Sequence, residues 1–100
     1  MEIEIVKDAE RLVIRMSGRF DARCQKRFFE VVDQSMEDVA PIIQIDLADV
    51  SYLDSSALGM LLAVRERVKN AGRTVSLVNA VGNVRQVIEI ANFAKLFAME

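Results

Sequence analysis

The chain has 100 residues, 52% of them hydrophobic and 28% charged, with a net charge of −2. That is the length of one domain with ample apolar material for a core, which excludes a disordered chain. It carries no clustered basic face, so nucleic acid is excluded as an expected partner, and no apolar run approaches the roughly 20 residues that span a bilayer.

The amino-terminal "EIEIV" and "RLVIRMS" alternate with period two around "KDAE". They predict an antiparallel hairpin over Ile3–Val6 and Leu12–Ser17, ended by Gly18. Asp21 stands as a helix cap before "ARCQKRFFEVVDQSMED", in which Phe28, Phe29, Val31, Val32 and Met36 form one apolar stripe. Cys24 falls on this helix. It has no second cysteine and no histidine to activate it, so it reads as an inert thiol in a reducing, cytoplasmic setting.

Pro41 marks a boundary, and "IIQIDL" after it reads as a central strand buried on both faces. Leu58, Leu61, Leu62, Val64 and Val68 then fit a helix ended by Asn70-Ala71-Gly72. Arg65, Arg67 and Lys69 surround Glu66 and read as its wet side. "TVSLVNA" predicts another strand and "NVRQVIEIA" a third helix, with Val84, Val87, Ile88 and Ala91 on one face. The closing "LFAM" is compatible with a short strand, which the sequence leaves open. The order ββαβαβα(β) implies an α/β fold: one mixed sheet, an amino-terminal hairpin plus parallel strands, covered by helices. Residues 1–100 are expected to form a single domain.

Between the central strand and the second helix lies "DVSYLDSSALG", Asp49 to Gly59. In open α/β sheets, chemistry sits at the carboxyl ends of such strands. Catalysis finds little here. A Ser-His-Asp triad needs a histidine, and the chain has none. "DSSALG" is not the G-x-S-x-G of a nucleophile elbow. No pattern places Lys69 or Lys95 as a base for a serine. Asp46, Asp49 and Asp54 do not match the acidic arrangement of receiver domains, and no P-loop is present. No metal and no cofactor is therefore expected.

Ser55 can instead be read as a phosphate acceptor. A helix amino terminus offers unpaired N–H groups and a positive dipole end, so a phosphoryl group there is held without unfolding. It adds about −1.5 to −2 charges. A surface that accepts a serine hydroxyl then meets a dianion, and an unpaired charge buried at an interface costs several kcal/mol. The competing reading is that Asp-Ser-Ser simply caps a helix. Ser51 and Ser56 read as structural. Gly59 either eases helix packing or leaves the first turns bare for another protein.

"DVSYLDSSALGMLL" resembles the signature of STAS domains, specifically anti-sigma factor antagonists, D-x-S-x-[ILVM]-D-S-[ST]-[AG]-[LI]-G, through Asp49, Ser51, Asp54, Ser55, Ser56, Ala57, Leu58 and Gly59. Gly18 to Ala22 resembles the family's turn before its first helix, and "VRQVIEIANFAKLFAM" its closing helix. The resemblance spans nearly the whole chain and implies the same mixed-sheet fold. It also implies partner switching, with no enzymatic activity of the chain's own. Unphosphorylated protein binds an anti-sigma factor that is also a serine kinase of the histidine-kinase-like ATPase fold. Phosphorylation of Ser55 loosens the complex, and a PP2C-type phosphatase restores it. Asp21, Asp54, Ser56, Ala57 and Gly59 are the implied partner-binding positions. A monomer is expected. Asn92 stands where many relatives have glycine, which is expected to alter the last turn. The alternative is a non-phosphorylated structural STAS subunit of a transport or regulatory complex, told apart by whether Ser55 becomes phosphorylated.

Overall fold

The computed structural model describes residues 1–8 and 10–99. Strands β1 (Glu2–Lys7), β2 (Arg11–Phe20), β3 (Ile42–Leu53), β4 (Thr74–Val78) and β5 (Ala98–Met99) form one sheet in sequential order. β1 and β2 are antiparallel, and every later pairing is parallel. Helices α1 (Gln25–Met36), α2 (Ser55–Asn70) and α3 (Gly82–Ile90) make the crossovers, with short 3₁₀ turns at Ala22–Cys24 and Phe93–Lys95. The expected hairpin and the three helices are present, and the final strand that the sequence left open forms at Ala98–Met99. The hairpin turn includes Ala9, which lies outside the described residues.

Sequential parallel neighbours joined by right-handed crossovers place all the helices on one face of the sheet. The burial pattern agrees. Ile3, Leu12, Ile14, Met16, Ile43, Ile45, Leu47 and Leu77 point to that face and form one core with Phe28, Val31, Val32, Leu61, Val64, Val68, Val84 and Ile88. The other face carries Glu4, Val6, Val13, Arg15, Gln44, Asp46 and Val78. β3 is central as expected. However, its burial on both faces is only partial, because Ile42 on the open side is exposed while Gln44 is buried.

Two boundaries depart from the sequence expectation. Gly18 does not end β2. It takes φ +94°, and the strand continues to Phe20 beyond a register shift against β3. A glycine accepts that backbone without the Cβ clash another residue would meet, so the strand bends there and goes on. β3 likewise runs on to Leu53, past an irregularity opposite Arg15 and Ser17. The buried stripe of α2 is Ala57, Met60, Leu61, Val64 and Val68, with Leu58 and Leu62 only half-buried at its edge. The helix closes on Gly72 at φ +73°. There the Arg73 N–H donates to the Val68 carbonyl at 3.0 Å and the Gly72 N–H to that of Lys69 at 2.9 Å. Asn92 adopts the left-handed region at φ 60°, ψ 32°, which asparagine reaches more readily than most residues, so the last turn is made without a glycine.

Candidate functional site

The site forms where β2 and β3 end together. The two strands are parallel and in register at their last residues, Arg19 opposite Tyr52 and Phe20 opposite Leu53. Phe20 and Leu53 turn into the core at 0% and 4% exposure. The next residue of each strand is an aspartate in extended conformation, Asp21 and Asp54, and each caps the helical turn that follows. Adjacent strands stand about 4.8 Å apart, so the two caps begin side by side.

Asp54 accepts a hydrogen bond from the Ala57 N–H at 3.0 Å, and its own carbonyl accepts the Leu58 N–H at 3.1 Å. This identifies which member of Asp-Ser-Ser is the cap. Ser55 and Ser56 are the first two residues of α2, both exposed, and neither hydroxyl has a hydrogen bond among the described residues. Gly59 is also exposed and helical, and a Cβ built on it would meet nothing within 4 Å. Its glycine is therefore not required by helix-to-sheet packing. Ala57, expected at the partner surface, is 0% exposed and packs in the core. Its place three residues after the cap turns it inward. Ser51 is exposed on β3.

Asp21 is 8% exposed and heavily partnered. Its carboxylate accepts the Arg23 N–H at 3.0 Å, Arg23 Nε at 3.2 and 3.3 Å, and Arg23 Nη2 at 2.8 Å. Arg19 Nε lies 3.9 Å from the same carboxylate. The Arg23 guanidinium, with help from its N–H and from Arg19, holds the Asp21 carboxyl below the usual carboxylate range. The Arg19 guanidinium in turn lies over the Tyr52 ring, 4.1 Å from its centroid. The sequence reading missed Arg19, Arg23 and Tyr52. A signal was there: "RFD" and "YLD" repeat the pattern polar–apolar–Asp at the two strand ends. Cys24 supports the same turn, its Sγ donating to the Arg19 carbonyl at 3.2 Å.

Among the described residues no group of three or more His, Cys, Asp or Glu side chains converges to hold a metal. Asp46 is engaged on the open face instead, accepting the Ala48 N–H at 3.0 Å and Asn79 Nδ2 at 3.2 Å. Among the described residues no helix is long and apolar enough to cross a membrane.

Comparison with known proteins agrees with this architecture. The profile of the STAS domain family matches residues 1–100. A STAS-domain containing protein of Pseudomonas aeruginosa strain UCBPP-PA14 is 36% identical over 90 residues, covering 90% of this chain and 88% of the relative. Among solved structures, an anti-sigma factor antagonist from Mycobacterium paratuberculosis superposes with a TM-score of 0.87 at 21% identity, covering 98% of this chain and 83% of the other. The anti-sigma factor antagonist SpoIIAA in its unphosphorylated form does so with a TM-score of 0.81 at 18% identity, covering 99% and 88%. At those identities the superpositions speak for the fold, while the family profile and the Pseudomonas relative speak for kinship: the chain belongs to the STAS domain family.

Proposed function

We propose that the chain is an anti-sigma factor antagonist that works by partner switching and acts by binding rather than by catalysis. The observation that carries this reading is the division of labour at the strand end. Asp54 caps α2, which leaves the Ser55 hydroxyl exposed and unused by the fold. Unphosphorylated, the surface around Ser55, Ser56 and Gly59, with Asp21 and Asp54 behind it, receives an anti-sigma factor that is also a serine kinase of the histidine-kinase-like ATPase fold. That kinase transfers the γ-phosphoryl group of ATP to Ser55 Oγ, releasing ADP and the hydroxyl proton. The dianion sits over the first free N–H groups of α2, so the domain stays folded while the partner meets added negative charge where it had met a hydroxyl. Hydrolysis by a PP2C-type phosphatase resets the hydroxyl.

The test is the intact mass of the protein after incubation with such a kinase, ATP and Mg²⁺, with the site mapped by fragmentation. One phosphoryl group on Ser55, absent from Ser55→Ala, is the expected result. A stable complex with a membrane or enzyme subunit and no phosphate on Ser55 would replace this reading with that of a structural STAS subunit.

A further inference from the structure

Resting on Ser55 as the acceptor, we propose that Arg19 and Arg23 form an intramolecular receiver for the phosphoryl group, so that modification draws guanidinium groups from Asp21 to phospho-Ser55. The segment from Arg19 to Arg27 holds Arg19, Arg23, Lys26 and Arg27 against the single carboxylate of Asp21, in a chain whose net charge is −2. Two of those cations converge on that one carboxylate, and both keep open sides, with Arg19 at 58% and Arg23 at 78% side-chain exposure. With Asp54 standing beside Asp21, the two guanidiniums are balanced before modification, and the phosphoryl dianion is the charge that arrives without a partner.

Position and shape both favour capture. The register Phe20–Leu53 sets Asp21 beside Asp54, and Ser55 follows Asp54 directly. Arg23 already grips Asp21 with the Nε–Nη2 fork, at 2.8 to 3.3 Å, and that fork matches phosphate oxygens as well as carboxylate oxygens. The Arg19 guanidinium is held over the ring of Tyr52, 4.1 Å from its centroid and three residues before Ser55, so it is positioned before any phosphate arrives. A dianion attracts these forks more strongly than the monoanion of Asp21 does. Transfer leaves the Asp21 carboxylate short of partners. The modification is then written at two positions of the binding surface, Ser55 and Asp21.

The experiment places phosphoserine at position 55 of the full chain by genetic code expansion, so no kinase is needed. The ³¹P shift is followed from pH 4 to 8 at low salt in the parent chain, in Arg19→Gln, in Arg23→Gln and in the double variant, with circular dichroism confirming that each is folded. The helix terminus acts on all four proteins alike, so the differences report the arginines. The expected second pKa of phospho-Ser55 lies below the ordinary value of about 6 in the parent chain. It rises by about 0.5 to 1 unit in the double variant, a roughly three- to ten-fold change in proton affinity. Coincident titrations of parent and double variant would overturn the proposal. Failure of every kinase to modify Ser55 would instead undo the functional reading and leave this comparison unchanged.

Discussion

Gly59 offers a test in which folding and binding are expected to move in opposite directions. It is the fifth residue of the 16-residue α2, in ordinary helical conformation, with open space where a Cβ would stand. A glycine inside a helix costs about 0.8 to 1 kcal/mol relative to alanine, chiefly through backbone entropy. The added methyl touches nothing, so no burial gain or clash alters that figure. Gly59→Ala is therefore expected to stabilise the isolated protein by about 0.8 kcal/mol and to raise Tm by about 3 to 6 °C. Urea unfolding followed by circular dichroism reads this as a higher midpoint with an unchanged slope. The same methyl projects from the turn bearing Ser55 and Ser56, where the kinase partner is proposed to sit. Overpacking a close interface costs about 1 to 3 kcal/mol, so affinity for that partner is expected to fall by about five-fold or more. A variant less stable than the parent would refute the structural reasoning. A more stable variant that binds the kinase unchanged would remove Gly59 from the contact surface.

Ser55→Ala is expected to bind the kinase constitutively, and Ser55→Asp or Ser55→Glu to bind at least about ten-fold more weakly, as read by calorimetric titration. Phosphorylated protein that binds as tightly as unphosphorylated protein would refute the switch. Asp54→Ala removes the cap of α2 and is expected to cost about 1 kcal/mol of stability. It should also weaken partner binding more than Ser51→Ala, whereas equal losses would indicate general damage to the local structure. The Asp21 carboxyl is held low by Arg23, and that of Asp38 by the Lys7 ammonium first and then by the Ala40 N–H. A carboxyl whose folded pKa lies below its unfolded value of about 3.9 contributes its full stabilisation above that value and loses it as pH falls through the folded one. The urea midpoint should therefore stay level from pH 7 to about 5 and drop below about 4, with a shallower drop in Asp21→Asn. An equally steep drop in that variant would show that Asp21 is not among the linked groups.

The sequence by itself determined the elements and their order, because helix and strand periodicity are local properties. Phe28, Val31 and Val32 at helical spacing, and Leu12, Ile14 and Met16 in alternation, are buried as their patterns require. It also singled out Asp54-Ser55-Ser56, since a capping aspartate before an apolar helical run is written in adjacent residues. Where a strand stops was less legible. Gly18 reads locally as an end, yet β2 continues because β3 lies alongside to take its hydrogen bonds. Leu58 and Leu62 count as core by hydropathy, but the side of α2 that is buried carries Ala57 and Met60 instead, with the two leucines at its edge. Only the tertiary structure decided that β2 and β3 end in register. That pairing joins residues more than thirty positions apart, sets Asp21 beside Asp54, and lays Arg19 on Tyr52. The proposed acceptor serine is a local feature of the chain, whereas its charged surroundings exist only once two distant strand ends are brought together by a shared sheet.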